Sequence, residues 1–274
     1  MATMTETAAD PVWARVVEEA AESARREPML ASFLHYIILN HKTLEDALSF
    51  HLAGKLESHA LTALTLRDLL GEAFTRGEGI GESIRADMKA VCDRDPACRF
   101  YSTPLLYFKG YQALQAYRAA HYYWTQGREE LALFLQSRIS DVFAVDIHPA
   151  ARIGKGILID HATSVVIGET AVVEDNVSML HEVTLGGTGK AGGDRHPKIR
   201  RGVLIAAGAK ILGNIEVGEC AKVGGGAVVL EDVPPHTTVV GVPAHPVGRT
   251  HSPEPALDMD HRIYQDEHFP GGGI

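Results

Sequence analysis

Residues 199–233 read IRRGVL-IAAGAK-ILGNIE-VGECAK-VGGGAV-VLEDV, and this stretch decides the fold of the second half of the chain. Every sixth residue is Ile or Val, and the residue four positions later is apolar or small. Such hexapeptides are typical of a parallel β-helix, in which each unit supplies a short strand and a tight turn. The same period begins upstream at Ile147, so the pattern predicts a coil over residues 144–248.

The repeat is interrupted twice, each time beside a histidine. The step from Ile159 to Ile167 takes eight residues instead of six, and the additional two follow His161 directly. Between Leu185 and Ile199, fourteen residues occupy the place of one unit, and GGTGKAGGDRHPK is too polar and glycine-rich for a core. We therefore expect an extruded loop here, and a functional site beside the irregularities.

The first half of the chain has a different period. Apolar residues recur three or four positions apart, as in Val12, Val16 and Ala20, which is typical of amphipathic helices. The aromatic residues concentrate in residues 107–124, where the pattern favours a helix-packing core. We predict an α+β protein with a helical domain over residues 1–143, the β-helix domain over 144–248, and a flexible polar tail over 249–274.

Composition restricts the classes of partner. The formal net charge of -9 over 274 residues disfavours nucleic acid and anionic membranes as partners. No apolar run approaches the ~20 residues that span a bilayer, and the N-terminus lacks a signal-peptide pattern, so we expect a soluble, cytoplasmic protein. Cys92, Cys98 and Cys220 have no C-x-x-C spacing, which argues against a disulfide framework or a thiolate zinc site.

Longer motifs make the interpretation more specific than hexapeptides alone. They are PMLASFLHYIILNH at 28–41, RDPA at 94–97, YSTPLLYFKGYQALQAYR at 101–118, DIHPAARIGKGILIDHAT at 146–163, VTLGGTGKAGGDRHPKIR at 183–200 and GVPA at 241–244. With them the chain resembles the serine O-acetyltransferases, of the hexapeptide-repeat acyltransferase superfamily.

The resemblance implies a left-handed parallel β-helix, trimers formed through the β-helix, and hexamers made from two trimers through the helical domains. It implies active sites in clefts between neighbouring coils, and acetyl transfer from acetyl-CoA to L-serine, which gives O-acetyl-L-serine and CoA in cysteine biosynthesis. Family members are commonly inhibited by L-cysteine. Their terminal isoleucine, here Ile274, enters the active site of O-acetylserine sulfhydrylase.

The chemistry of this reaction selects particular residues. A hydroxyl attacks a thioester only if a base removes its proton, and imidazole has a reference pKa near ~6.5. His161 is the candidate base and matches the family's catalytic histidine. Asp146 lies fifteen residues earlier, nearly one turn if a turn takes three repeats, and the resemblance assigns it the orientation of the imidazole. Because no serine or cysteine nucleophile lies in a fitting motif, we favour direct transfer in a ternary complex.

Binding of zwitterionic serine requires both signs of charge. Arg195 can form a bidentate pair with the carboxylate, and His196 can donate a further hydrogen bond or stabilise the oxyanion. By resemblance, Asp95 and Asp160 receive the amino group, and His196 belongs to the site. For the CoA arm and its phosphates we select small or basic residues, namely Gly187, Thr188, Ala207, Gly208, Gly225 and Lys222. No metal is expected.

Three alternatives remain open. A hexapeptide acyltransferase could use another acceptor, such as a sugar. A carbonic-anhydrase-like metalloprotein could hold zinc on His161, His181 and His196, although RDPA and GGDRHPK have no place in that interpretation. A non-catalytic β-helix could serve as a scaffold for partners.

Overall fold

The computed structural model describes residues 10–189 and 192–263. Its α-helices are α1 (Pro11–Arg26), α2 (Ala31–Leu34), α3 (Leu44–Leu56), α4 (Ala63–Arg76), α5 (Ile80–Arg94), α6 (Ser102–Tyr107), α7 (Lys109–Thr125), α8 (Glu129–Phe143) and α9 (Pro255–Asp258). A 3-10 turn at Pro28–Leu30 and a π-helical turn at His35–Leu39 flank α2.

The strands are short, as the hexapeptides predict. They are β1 (Val145–Ile147), β2 (Arg152–Ile153), β3 (Leu158–Ile159), β4 (Val165–Ile167), β5 (Val172–Val173), β6 (Ser178–Met179), β7 (Thr184–Gly186), β8 (Lys198–Ile199), β9 (Leu204–Ile205), β10 (Lys210–Leu212), β11 (Glu216–Val217), β12 (Lys222–Val223), β13 (Val228–Val229), β14 (Thr237–Val240) and β15 (His245–Arg249). The order confirms the predicted fold class, a helical region followed by a parallel β-helix with an extruded loop.

The strands stack into three parallel sheets that form the faces of a coil. Face A contains β1-β4-β7-β10-β13, face B contains β2-β5-β8-β11, and face C contains β3-β6-β9-β12-β14, to which β15 adds in antiparallel orientation. The first and fifth residues of the hexapeptides point inward, and Ile205, Ala209 and Ile211 are fully buried. Repetition of this inward pattern gives one continuous apolar core along the coil axis.

Strand register gives the length of each turn. Lys210 pairs with Val228, a regular turn of eighteen residues, which is three hexapeptides. Val145 pairs with Val165 across twenty residues, because the two residues after His161 enlarge that turn. Thr184 pairs with Lys210 across twenty-six residues, because the extruded loop adds eight residues to the regular turn of eighteen. Both interruptions therefore leave the core register intact and project outward.

Faces B and C differ in what covers them. Outward side chains of face C, such as Ser178, Lys222 and Thr238, are at most 2% exposed. The helical domain packs on this face, and α9 packs against α5 beside it. Face B carries charged outward side chains, among them Arg152 and Glu216.

Face A leaves apolar side chains at the surface. Val166 is 39% exposed and Leu230, just after β13, is 49% exposed. Leu212 and Val228 lie partly exposed on the same face. An uncovered apolar face on a charged protein is typical of a contact surface.

The helical domain docks closely onto the first turn of the coil. A Cβ atom at Gly110, in α7, would lie 2.0 Å from the carbonyl oxygen of Ile159, so only glycine permits this approach. Asp87 is fully buried and accepts hydrogen bonds from Arg118, at 2.7 Å, and from the backbone of Ile157, at 2.9 Å. This network fixes α5 and α7 relative to the coil.

Residues after the coil do not match the expectation of a flexible tail over 249–274. β15 runs to Arg249, and Ala256 in α9 is buried, with its carbonyl accepting from Ser178 at 2.8 Å. Docking of apolar residues onto face C orders this part of the segment. Ile274 lies outside the described residues. None of the helices in the described ranges is both long and apolar enough to cross a bilayer.

Candidate active site

Most of the predicted site residues lie along two different edges of the coil. We call the edge where face C passes into face A the His161 edge; it comprises residues 160–164, 180–183, 206–209 and 224–227. The edge where face A passes into face B is the loop edge, with residues 148–151, 168–171, 187–189, 192–197 and 213–215. Face A separates the two edges within one chain.

The two-residue insertion exposes the imidazole of His161. Backbone φ angles of 55° at His161, 57° at Ala162 and 62° at Ser164 turn the chain outward at this point. Ala162 is fully buried, whereas the His161 side chain is 74% exposed. Its Nε2 lies 3.6 Å from Asp160 Oδ2, and its ring meets the His181 ring edge-on at a centroid distance of 6.0 Å.

A cavity of about 450 Å³ opens beside this imidazole. Asp95 and Asp160 line it together with His161, so the structure brings these three predicted residues together. The RDPA turn fixes Asp95, because its Oδ1 accepts from the backbone of Ala97 at 2.8 Å. Two carboxylates and an imidazole around one cavity suit a ligand that carries both an ammonium group and a hydroxyl.

Sequence reasoning missed two cavity residues, Tyr107 and Lys109. Tyr107 belongs to the aromatic stretch predicted as core, but it is 56% exposed and lines the cavity, whereas Tyr111, Tyr117 and Tyr123 are buried as predicted. The ammonium of Lys109 donates to the Thr163 hydroxyl, beside His161. The position of both within the YSTPLLYFKG motif, which begins four residues after the end of RDPA, was the available signal.

His196 is held on the loop edge in one tautomer. Its Nδ1 lies 3.2 Å from the backbone nitrogen of Thr170, and a backbone N–H only donates, so Nδ1 accepts and Nε2 carries the proton. Burial and the neighbouring Arg195 charge lower the pKa of His196, which keeps the ring neutral at pH 7. Its Nε2–H is therefore a hydrogen-bond donor at this edge.

Glycine and Thr170 fix this ring in place. A Cβ atom at Gly168 would lie 2.1 Å from the His196 ring, so the ring packs directly on the backbone. Thr170 Oγ1 also accepts from the backbone nitrogens of Arg195, at 3.0 Å, and His196, at 3.1 Å. Thr170 occupies an ordinary coil position, so no sequence pattern identified it in advance.

Arg195 lies beside His196 but is paired with a carboxylate. Its Nη2 donates to Glu169 Oε2 at 2.5 Å and its Nη1 donates to the carbonyl of Gly193 at 3.1 Å. The hydrogen bond from Arg195 is the main reason that the pKa of Glu169 lies below its ordinary value. The side chain remains 28% exposed, so solvent reaches part of the guanidinium.

Asp146 does not stack on His161 as the fifteen-residue separation suggested. Register pairs Asp146 with Val166, because the insertion lengthens this turn to twenty residues. The carboxylate accepts from Gln136 Nε2, in α8, at 2.6 Å. Asp146 thus lies on face A, between the two edges.

The candidate CoA-binding residues divide between the edges. Gly187 and Thr188 lie on the loop edge, while Ala207, Gly208 and Gly225 lie on the His161 edge. Along the His161 edge, Gly208 donates to the carbonyl of His181 at 3.0 Å and Gly226 donates to that of Ala207 at 2.8 Å, so these small residues form a line parallel to the coil axis.

The expectation that Lys222 is exposed and contacts the CoA phosphates is wrong. It is 2% exposed, and its ammonium donates to the carbonyl of Asp260, at 3.0 Å, and to that of Arg262. Burial lowers its pKa. The segment after α9 covers Lys222, and nothing in the hexapeptide pattern encodes that docking.

The zinc alternative requires three converging histidines. His161 and His181 lie on one edge and His196 on the other. Among the described residues, no group of three His, Cys, Asp or Glu side chains is arranged to hold a metal ion.

Comparisons of the sequence and of the structure with known proteins all find serine acetyltransferases. A family model described as "Serine acetyltransferase, N-terminal" matches residues 12–116. The chain is 56% identical over 260 residues to the serine acetyltransferase of Escherichia coli (strain K12), covering 95% of this chain and 93% of that protein.

Three solved structures with named ligands are also similar. A serine acetyltransferase in complex with cysteine has a TM-score of 0.89 at 54% identity, over 92% of this chain and 98% of that one. The Brucella abortus strain S19 enzyme in complex with coenzyme A has a TM-score of 0.86 at 52% identity, over 88% of this chain and 97% of that one. The soybean enzyme complexed with serine has a TM-score of 0.84 at 60% identity, over 86% of this chain and 97% of that one.

Proposed function

The chain belongs to the serine acetyltransferase family and is an acyltransferase, and from this premise we propose that it transfers the acetyl group of acetyl-CoA to the hydroxyl of L-serine. The observation that carries the proposal is the cavity in which Asp95 and Asp160 lie beside the exposed imidazole of His161. The soybean relative complexed with serine and the Brucella relative in complex with coenzyme A support both substrates.

His161 acts as the general base. The two carboxylates hold the serine ammonium, which aims the substrate hydroxyl at Nε2 of the imidazole. The base removes the hydroxyl proton as oxygen attacks the thioester carbonyl, and the same proton then passes to the departing CoA thiolate. Acetyl transfer is direct, within a ternary complex, and gives O-acetyl-L-serine for cysteine biosynthesis.

Arg195 and His196 complete the site from a neighbouring chain. Face A keeps their edge apart from the His161 edge within one chain, and its exposed apolar residues favour contact with another copy. Packing three such faces around a threefold axis brings the His161 edge of one subunit to the loop edge of the next. The cleft between them is the active site.

Each loop-edge residue then has a defined role. Arg195 exchanges part of its pairing with Glu169 for the serine carboxylate, because a guanidinium can serve two carboxylates. The Nε2–H of His196 stabilises the oxyanion, a role that requires the neutral donor tautomer which Thr170 enforces. Asp146, on face A between the edges, orients His161 across the same subunit boundary.

Acetyl-CoA lies along the cleft. The pantetheine arm runs parallel to the coil axis, against Ala207, Gly208 and Gly225 of one subunit and Gly187 and Thr188 of the next. Small side chains on both edges leave the backbone open to its amides. Lys222 has no direct contact with CoA in this proposal, because its ammonium binds the segment after α9.

A thiol-release assay with a panel of acceptors tests the function. With acetyl-CoA as donor, we expect CoA release with L-serine, and background rates with D-serine, simple sugars and sugar amines. Sugars and sugar amines lack the carboxylate that Arg195 binds. In D-serine, the carboxylate, ammonium and hydroxyl cannot all reach their partners at once, because the three contacts fix one enantiomer. Faster release with a sugar would favour the alternative hexapeptide acyltransferase and overturn the proposal.

Assembly and feedback follow the family pattern in our proposal. Trimers form through face A and pair through the helical domains into hexamers. Light scattering, which gives the mass of the assembly in solution, tests this arrangement. L-cysteine, which carries the same carboxylate and ammonium groups as serine, competes for Asp95, Asp160 and Arg195. The relative in complex with cysteine supports this site for the inhibitor.

Removal of Ile274 separates catalysis from partner binding. We propose that the terminal isoleucine, on its glycine tether, enters the active site of O-acetylserine sulfhydrylase. A variant lacking Ile274 is expected to lose sulfhydrylase binding in calorimetry and to keep the wild-type rate of acetyl transfer. Unchanged binding by the truncated chain would contradict the proposal, and Ile274→Val, which keeps an apolar terminus, is the matched control.

A further inference from the structure

Two cysteines outside the catalytic machinery lie in contact at the ends of the RDPA turn. The sulfur of Cys92, in the last turn of α5, is 3.4 Å from that of Cys98. Both thiols point toward the carbonyl oxygen of Phe100, at 3.9 Å from Cys92 and 3.5 Å from Cys98. Because the separation in sequence is only six residues, local backbone structure fixes this approach.

We propose that Cys92 and Cys98 form a reversible intramolecular disulfide, a modification site that restrains the turn carrying Asp95. The two sulfurs need to approach by roughly 1.4 Å, from 3.4 Å to the S–S bond length of about 2.05 Å. Cys92 is half-buried and accessible to a small oxidant, whereas Cys98 is 7% exposed and lies behind it.

Access and acidity give the two thiols different roles. A small-molecule disulfide, RS–SR, first exchanges with Cys92, which forms a protein–S–S–R bond and releases one RSH. The Cys98 thiolate then attacks the Cys92 sulfur and expels the second RSH, so two electrons and two protons pass to the oxidant. The hydrogen bond between the two thiols lowers the pKa of Cys98 and raises that of Cys92. The first exchange, at the accessible but less acidic Cys92, is therefore the slow step, and the Cys98 thiolate closes the disulfide.

The restraint acts on a turn with little freedom. The backbone nitrogen of Asp95 donates to Val91, and that of Cys98 donates to the carbonyl of Asp95. A shift of either sulfur is therefore transmitted to Asp95, which lines the cavity. This consequence rests on the proposed function, in which Asp95 holds the serine ammonium. We expect oxidation to raise KM for serine about tenfold, the effect of losing roughly 1.4 kcal/mol of binding, and to leave KM for acetyl-CoA unchanged.

Peptide mapping tests the disulfide independently of activity. Trypsin cleaves after Lys89, Arg94 and Arg99, so Cys92 and Cys98 fall into separate peptides, AVCDR and DPACR. After treatment of the native enzyme with oxidised glutathione and alkylation of free thiols, we expect these two peptides to be joined, and dithiothreitol to separate them. Finding Cys92 only as a glutathione adduct, or both thiols alkylated, would overturn the proposal.

Variants complete the test. Cys92→Ser and Cys98→Ser are each expected to abolish the joined peptide and the change in KM, and Cys220→Ser, at a buried cysteine of the coil, to keep both. Joined peptides with an unchanged KM for serine would refute the restraint of Asp95. If the untreated enzyme does not acetylate serine, the proposed function fails, and the peptide map still decides the disulfide.

Discussion

Replacing His161 with alanine is expected to lower kcat for acetyl transfer by roughly 10²–10⁴-fold, the contribution of a general base in comparable enzymes. Without the imidazole, the serine hydroxyl must lose its proton to water, and the CoA thiolate loses its proton donor. KM for serine should change little, because Asp95, Asp160 and Arg195 still bind the charged groups. Steady-state thiol release at saturating acetyl-CoA measures both constants.

Two further variants make this result specific. The φ of 55° at position 161 is unfavourable for alanine and is better tolerated by asparagine. His161→Asn should therefore be as inactive as His161→Ala while keeping the wild-type melting temperature. His59→Ala, at an exposed histidine between α3 and α4, is the matched control and should keep full activity. Wild-type turnover by the His161 variants would refute the mechanism.

Arg195→Ala is expected to lower kcat/KM for serine about 100-fold, mainly through KM, which corresponds to about 2.8 kcal/mol of lost binding. The substrate carboxylate then meets the unpaired carboxylate of Glu169 in place of a guanidinium. Arg195→Lys should recover only part of the loss, because an ammonium cannot form the bidentate pair. Initial rates with serine varied at saturating acetyl-CoA give both constants.

Arg200→Ala is the matched control for this prediction. Arg200 follows β8, close in sequence to the loop, but it pairs with Glu174 and Glu216. Its removal should leave KM for serine unchanged. An Arg195→Ala enzyme with wild-type KM for serine would show that another group holds the carboxylate.

The sequence predicted the coil well because its physical signal is local and repeated. An inward Ile or Val every sixth residue, as at Ile205 and Ile211, determines strand, turn and stacking together. Both interruptions were visible as breaks in this count, and both lie at edges of the coil where the structure places candidate site residues. His161 was identified for the same reason.

Features that depend on contacts between distant parts of the chain could not be predicted from the sequence. The position of Asp146 depends on how the insertion lengthens a turn, so its separation from His161 in residues did not reveal that it lies on face A, opposite Val166. Lys222 was expected at the surface, but a segment almost forty residues later covers it. Thr170 acts only through the loop that folds back on it, and no local pattern encodes such a contact.

The proposed sharing of the site between two chains also depends on non-local structure. The hexapeptides cannot reveal that His161 and Arg195 project from different edges, since that follows from the sheet order. In the proposed trimer, the arrangement of faces places the base on one chain and the carboxylate-binding arginine on another.

Mixed oligomers show whether two chains share one active site. His161→Asn and Arg195→Ala chains, carrying different tags, are co-expressed, and oligomers containing both are isolated by sequential affinity purification. Each variant alone is nearly inactive with serine at low concentration. Random assembly joins an intact His161 edge to an intact loop edge at about a quarter of the interfaces, so we expect recovery of about a quarter of wild-type activity. Mixed oligomers as inactive as the separate variants would contradict it.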